Sequence, residues 1–233
     1  MKVSLALGGG GSRGISHLGV LKTLEENNIK IGSLAGTSIG GLIGATHLAG
    51  HSADELIDRF SQVNQPKLYG QRKGDEPSLL GLAGGTKLLE ELLGDLTFDD
   101  LDIPFAVTAV DLVEERAVTI NEGRLLDAVL ATIAVPGIFP ARRLGSKLLV
   151  DGGVANPVPV DIARKLHPTM PVIAVVLTER TTPSFILPVP EIPMAAPVVE
   201  YLSNMRLTQS LNIFLTAIDA GSKFLTEAKL DQT

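Results

Sequence analysis

The chain has 233 residues, of which 45% are hydrophobic, and it carries a formal net charge of −6. A chain of this length and hydrophobicity can bury one large core, so we expect a single domain over residues 1–233 and exclude a disordered or fibrous protein. The negative charge argues against nonspecific binding to nucleic acid or anionic lipid, and the absence of cysteine excludes disulfides and thiolate catalysis.

Short apolar runs alternate with longer helical patterns along the chain, in the order of an α/β protein. This order favours a mostly parallel sheet covered by helices on both faces. No run approaches the roughly 18 apolar residues that a membrane span needs, so we expect a soluble, cytoplasmic protein. The predicted strands are residues 3–7, 31–35, 104–110, 117–120, 147–150 and 172–177, and the predicted helices are residues 18–27, 40–49, 53–63 and 160–166.

Three segments depart from this order. Residues 65–86 show little periodicity and are predicted to form a surface loop. Residues 183–197 contain five prolines among apolar side chains, which excludes a regular helix or strand there. A stripe on one predicted C-terminal helical face is typical of a core or of a dimer interface; it consists of Leu211, Phe214, Leu215, Ile218 and Leu225.

A glycine-rich loop, residues 8–14, joins the first predicted strand to the first helix. Its backbone N–H groups can point outward at the positive end of the helix dipole, which makes the loop a cradle for an anion. The glycine spacing also satisfies the dinucleotide fingerprint, but the second strand ends in residues 36–38 without the acidic residue that holds a ribose. Ile15 stands where a phosphate loop needs lysine. A nucleotide-binding or scaffolding protein without turnover remains the alternative.

The sequence Gly36-Thr37-Ser38-Ile39-Gly40 fits the G-x-S-x-G nucleophile elbow between a strand and a helix of small residues. The sharp turn requires Gly36 and Gly40, since a Cβ atom there would collide with neighbouring backbone. In a parallel sheet Ser38 and the glycine loop open at the same edge. A nucleophile and N–H donors can therefore flank one carbonyl group, which predicts a serine hydrolase.

Serine needs a base to take its proton, and histidine is the usual partner. His47 and His51 lie one predicted helix downstream of Ser38, about 13 to 20 Å further along its axis and beyond contact. His167 lies at a helix end that leads into a strand, and therefore at the opposite edge of the sheet. His17, three residues after the glycine loop, is the histidine candidate that position leaves open.

An aspartate is the other candidate base. Asp151 ends a predicted strand and precedes Gly152-Gly153, so its carboxylate reaches a strand end with room for close approach. Asp111 ends another predicted strand, but residues 112–116 after it indicate a hairpin turn, and we interpret Asp111 as structural. The residues alone leave both His17 and Asp151 open as the base.

Four ordered motifs are similar to those of the patatin-like phospholipases, and within that family to the branch that resembles the neuropathy target esterase catalytic domain. They are residues 8–21, 36–40, 131–140 and 151–157, and the resemblance covers about residues 3–178. The resemblance implies a three-layer α/β/α patatin-like fold and a dyad of Ser38 and Asp151. It also implies an oxyanion hole formed by the loop residues Gly9, Gly10, Gly11, Ser12, Arg13 and Gly14.

The same resemblance implies hydrolysis of phospholipid or lysophospholipid acyl esters without a metal or another cofactor. A carboxylate is a weaker base than imidazole, so esters suit the site better than amides, and a peptidase is a third interpretation. Arg13 either bonds nearby carbonyls, which we favour, or meets a lipid phosphate.

We expect peripheral membrane contact through apolar loops, with residues 183–197 either a lid or lipid-facing rim or packed on the core. A homodimer through the C-terminal helix is also predicted. Relatives usually add a strand after the last helix, whereas this sequence ends at Thr233, which a trimmed chain and a shorter natural form would equally explain.

Overall fold

The computed structural model describes residues 1–177, 216–218 and 220–227. Within them, seven strands form one sheet in the order β5-β6-β3-β2-β1-β7, with β4 also paired to β3. The strands are β1 Lys2–Leu7, β2 Lys30–Gly36, β3 Phe105–Asp111, β4 Arg116–Ile120, β5 Arg142–Leu144, β6 Lys147–Asp151 and β7 Val172–Val175. The helices in the same part of the chain are α1 Ser16–Glu26, α2 Ile39–Leu48, α3 Ala53–Ser61, α4 Ala83–Leu93, α5 Leu125–Thr132 and α6 Val160–Leu166.

The centre of the sheet is parallel and one side of it is antiparallel. β7, β1, β2 and β3 run parallel to one another. β4 and β6 are antiparallel to β3, and β5 forms a hairpin with β6. β1 and β2 are buried over almost their whole length, as expected for parallel strands covered on both faces. The predicted α/β fold with a mostly parallel central sheet is confirmed, and the antiparallel strands on one side make the whole sheet mixed.

Successive side chains of the central strands point into two different cores. Leu5, Leu7 and Leu34 face the larger core, which is closed by α1 to α5. Ala6 and Ala35 face the other side, where α6 packs through Val160, Ile162 and Ala163. The small alanine side chains let this single helix lie close to the sheet. The result is three layers, with helices on both faces.

Two helices and a strand were not predicted from the sequence. The segment 65–86 was predicted to be a loop, and this is wrong at its end, because α4 begins at Ala83. α4 opens with Ala83-Gly84-Gly85, which has weak helical propensity, and it forms because Leu89, Leu92 and Leu93 bury in the core. The other unpredicted elements are α5 and β5.

Some predictions fall on residues that the structure does not describe. Residues 183–197 lie outside the described residues, as do Leu211, Phe214 and Leu215 of the C-terminal stripe, while residues 220–227 are helical. In the described ranges, no helix is both long and apolar enough to cross a membrane.

Candidate active site

The turn between β2 and α2 holds Ser38 in a conformation that few L-residues adopt, with φ 54° and ψ −125°. Glycine is required on both sides of it. A Cβ on Gly36 would lie 2.5 Å from the Cα of Gly41, and a Cβ on Gly40 would lie 2.2 Å from the carbonyl oxygen of Leu7. The turn is therefore a strained elbow that presents Ser38 at the carboxyl edge of the sheet and at the N-terminus of α2.

β3 brings a second strand end to this elbow. Gly36 of β2 is registered with Val107, and Asp151 of β6 is registered with Ala109. β4 pairs with both Val107 and Ala109, so β2 and β6 share the other edge of β3. Because β6 is antiparallel to β3, the carboxyl ends of β2 and β6 point towards each other. Asp151 thereby arrives beside Ser38.

The two side chains are hydrogen-bonded. The Ser38 hydroxyl donates to Oδ2 of Asp151, and the Gly153 N–H donates to Oδ1 of the same carboxylate at 2.7 Å. Asp151 is only 5% exposed. This burial raises the pKa of the Asp151 carboxyl to about 6, although the hydrogen bonds from Ser38 and Gly153 oppose the shift. A carboxylate with a raised pKa is a better proton acceptor and is still ionised at neutral pH.

The glycine loop passes directly beside the elbow. A Cβ on Gly9 would lie 3.5 Å from the Cβ of Ser38. The Gly9 N–H, however, donates to the carbonyl of Pro157 at 2.9 Å, and the Arg13 N–H donates to the carbonyl of Gly10 at 3.2 Å. The expectation that Gly9 and Arg13 offer free amides is therefore not met, because both amides already have acceptors.

The other loop amides differ among themselves. Among the described residues, the N–H groups of Gly10, Gly11 and Ser12 have no hydrogen-bond acceptor. Gly14 serves close packing, since a Cβ there would lie 2.0 Å from Cγ1 of Ile39. Within the part of the chain that the structure describes, the amides of Gly10, Gly11 and Ser12 are therefore available to an anion.

The patatin-like phospholipase family model matches residues 5–164, which hold the elbow, the loop and Asp151. The chain belongs to the patatin-like phospholipase family. The family predicted from the four motifs is thereby confirmed, and with it a relationship to lipid acyl hydrolases.

Named relatives show the same kinship. An uncharacterized NTE family protein of Mycobacterium tuberculosis is 33% identical over 162 residues, which are 68% of this chain and 44% of that protein. The human patatin-like phospholipase domain-containing protein 6 is 31% identical over 173 residues, 70% of this chain and 12% of that protein. The chain thus spans less than half the length of these curated relatives. The crystal structure of VipD from Legionella pneumophila aligns with a TM-score of 0.48 and 13% identity, over 66% of this chain and 46% of that chain.

A buried threonine network supports the elbow of this patatin-like domain. The Thr37 hydroxyl donates to the carbonyl of Asn156 at 2.8 Å and accepts from the Thr108 hydroxyl at 2.8 Å. The Asn156 side-chain amide donates to Asp161 at 2.9 Å, at the start of α6. The network ties the strand end before Ser38 to the segment after Asp151. Sequence reasoning missed it, although Asn156 lies inside the fourth motif.

Backbone groups of the dyad residues are also held. The Ser38 N–H donates to the Thr132 hydroxyl at 2.9 Å, and the Asp151 N–H donates to the carbonyl of Ala134 at 2.9 Å. Thr132 and Ala134 belong to the third motif of the patatin-like pattern. The presence of that motif was the only signal of their place in the site.

The histidines bond elsewhere. His17 is fully buried, and its Nε2–H donates to the carbonyl of Gly8 at 2.8 Å. Burial lowers the pKa of His17, which favours the neutral ring. Nδ1 of His47 bonds the carbonyl of His51, Nε2 of His51 bonds the carbonyl of Leu92 near the end of α4, and His167 bonds Thr169. Within the described residues, no histidine is hydrogen-bonded to Ser38.

Asp111 and Arg13 have simpler surroundings. Oδ1 of Asp111 accepts the N–H groups of Val113 at 3.0 Å and Leu148 at 3.3 Å, as expected of a hairpin residue. The Arg13 side chain is exposed and makes no hydrogen bond or ion pair within the described chain. The predicted bonds from Arg13 to nearby carbonyls are therefore absent there. The described residues also contain no cluster of three acidic or histidine side chains placed to hold a metal ion.

Proposed function

We propose that this chain hydrolyses acyl esters of phospholipids or lysophospholipids, with Ser38 as the nucleophile and Asp151 as its general base. The observation that carries the proposal is the hydrogen bond from the Ser38 hydroxyl to the buried carboxylate of Asp151. Membership of the patatin-like phospholipase family supports the lipid ester as the substrate class.

In the first half of the reaction, Asp151 accepts the hydroxyl proton while Oγ of Ser38 bonds to the ester carbonyl carbon. The amides of Gly10, Gly11 and Ser12 receive the negative charge on the former carbonyl oxygen. When this tetrahedral intermediate collapses, the ester C–O bond breaks and the alcohol leaves with the proton that Asp151 held. The acyl group stays on Ser38.

In the second half, Asp151 takes a proton from water as the water oxygen attacks the acyl-Ser38 carbonyl. The Ser38 oxygen leaves with that proton and the fatty acid is released. The leaving group of an ester is an alcohol, which needs less protonation than the amine that leaves from a peptide. A carboxylate base therefore suits esters better than peptides.

The proposal is tested with Ser38→Ala, Asp151→Asn and the double variant. Each single variant loses nearly all hydrolysis of a p-nitrophenyl ester, and the double variant is scarcely worse, because the two groups act as a unit. The matched control is Asp111→Asn, which replaces another buried aspartate at a strand end and keeps its activity. Full activity of Asp151→Asn would contradict the dyad.

Covalent labelling separates the hydrolase from its rivals. A fluorophosphonate probe labels the wild type and not Ser38→Ala, whereas a nucleotide-binding or scaffolding protein is not labelled. A peptidase would hydrolyse casein, and we expect none of that activity. Loss in His17→Ala together with retained activity in Asp151→Asn would instead support a histidine base.

Apolar side chains at the active-site edge support peripheral contact with lipid. Ile15 follows the glycine loop and is 57% exposed, and Leu112 and Val113 follow β3 and are 47% and 61% exposed. Since the net charge is −6, we propose contact with neutral lipid through apolar side chains. The cytoplasmic location and the homodimer through the C-terminal helix remain predictions.

Vesicles of phosphatidylcholine test this contact. The double variant Leu112→Ser with Val113→Ser loses hydrolysis of vesicle lipid but keeps hydrolysis of a short p-nitrophenyl ester in solution. An equal effect on both substrates, or on neither, would contradict a role in lipid contact.

A further inference from the structure

One short turn holds the main chain of both residues of the proposed dyad. The turn comprises residues 132–134, at the end of α5. Its first residue, Thr132, accepts the N–H of Ser38, and its last residue, Ala134, accepts the N–H of Asp151, each at 2.9 Å. Ser38 and Asp151 are 113 positions apart in the chain, yet both backbones are fixed to groups two residues from each other.

The helix that ends in this turn contacts the helix that begins after Ser38 and the strand that ends in Asp151. α5 packs against α2, β3 and β6. Thr132 itself is fully buried, and its methyl group lies against Gly41 on the first turn of α2, where a Cβ would come within 2.9 Å. The absence of a side chain at Gly41 thus lets Thr132 reach the elbow.

The Ser38 amide needs this partner. Ser38 has a positive φ and precedes the first helical residue, so its N–H is available neither to the sheet ladder nor to the helix. A threonine hydroxyl in a helix often bonds the carbonyl four residues before it, as Thr46 does with Leu42. The Thr132 hydroxyl oxygen instead accepts a hydrogen bond from the N–H of Ser38, which is distant in the sequence.

We propose that Thr132 is a positioning residue for acyl hydrolysis, whose hydroxyl fixes the strained Ser38 main chain at the distance from Asp151 that proton transfer requires. The inference rests on the proposed function, since it concerns the same dyad. It adds a role for the third motif, to which the mechanism gave no task. Thr132 acts through Ser38 and makes no contact with the substrate.

The test compares Thr132→Val, which keeps the shape and loses the hydroxyl, with Thr132→Ser, which keeps the hydroxyl and loses the methyl group. Thr132→Val lowers kcat by about 100-fold with KM nearly unchanged, because misplacing a reacting group by about 1 Å has that effect. Thr132→Ser stays close to the wild type. Thr46→Val is the matched control, since it removes a different buried hydroxyl, which lies on α2, and leaves kcat unchanged.

Rates are normalised to the fraction of folded enzyme, measured by circular dichroism and thermal unfolding. An unchanged kcat in folded Thr132→Val would overturn the inference, and so would an equal loss in Thr132→Ser, which would assign the effect to packing. If Thr132→Val does not fold, Thr132→Ala makes the same comparison without added bulk. Failure of the proposed function is distinct, because the wild type itself would then neither hydrolyse esters nor react with the fluorophosphonate.

Discussion

Replacing Asp151 by asparagine should remove activity and at the same time stabilise the protein. The carboxylate is buried, and within the described residues its hydrogen-bond partners are the neutral hydroxyl of Ser38 and the N–H of Gly153. Burial raises the pKa of the carboxyl from 3.8 to about 6. The folded protein therefore holds a proton on Asp151 at pH values where the unfolded chain has already released it.

The size of the effect follows from this difference in pKa. Stability falls as pH rises from about 4 to about 6, because the folded state binds more protons than the unfolded state in that window. Above pH 6 the ionised carboxylate costs the folded state about 3 kcal/mol, at 1.36 kcal/mol for each pKa unit. Asparagine keeps a carbonyl oxygen for the Gly153 N–H and never ionises.

The free energy of unfolding is measured by urea denaturation of the wild type and Asp151→Asn between about pH 4 and pH 8. The variant gains about 3 kcal/mol relative to the wild type above pH 6, and the gain disappears near pH 4. Asp102→Asn is the control, because it makes the same substitution at an exposed aspartate. A variant that is less stable than the wild type at pH 8, or a gain that grows towards acid pH, would refute the reasoning.

Three further predictions concern the same elbow. The value of kcat/KM should fall about tenfold per pH unit below about pH 6, because protonation of Asp151 removes the base. Gly40→Ala should lose about 3 kcal/mol of unfolding free energy, because its Cβ would lie 2.2 Å from the Leu7 oxygen. The control Gly19→Ala, on an open face of α1, should gain about 1 kcal/mol. Ser38→Gly should be about 1 kcal/mol more stable than Ser38→Ala, because glycine tolerates a φ of 54°. A flat pH profile of kcat/KM down to about pH 4 would reject Asp151 as the buried base. Equal stabilities of Gly40→Ala and Gly19→Ala would reject the close approach of Gly40 to Leu7. A Ser38→Gly variant less stable than Ser38→Ala would reject backbone strain at Ser38.

The local parts of this structure could be predicted because their physical causes lie within a few residues. The elbow depends on Gly36 and Gly40, whose missing side chains are a steric requirement of the turn itself. β1 and β2 consist mostly of apolar or small residues because both of their faces are covered. Short sequence windows contain all of this information.

α5 could not be predicted in the same way. Its eight residues are nearly all apolar, and seven of them are buried. A helix that is buried all round shows no amphipathic period, so a short apolar run of this kind is indistinguishable from a strand. The sequence therefore did not predict the helix that ends in the turn bonded to the main chains of Ser38 and Asp151.

The sequence also could not predict which amides of the glycine loop lack a hydrogen-bond acceptor. Gly9 and Gly10 are adjacent and identical in type, yet the Gly9 N–H has an acceptor in Pro157, whereas the Gly10 N–H has none among the described residues. The difference depends on a carbonyl almost 150 positions away. Composition and spacing predict a cradle, but tertiary contacts decide which of its amides stay available.

The meeting of Ser38 and Asp151 depends on the pairing register along β3. β3 is seven residues long, and one of its edges serves β2 up to Val107 and β6 from Ala109. A shift of β6 by one residue would turn the Asp151 side chain to the opposite face of the sheet and away from Ser38. The last strand residues of β2 and β6 must therefore stop at neighbouring positions on β3. Their registers, rather than any property of Asp151 itself, are what make this aspartate the partner of the serine.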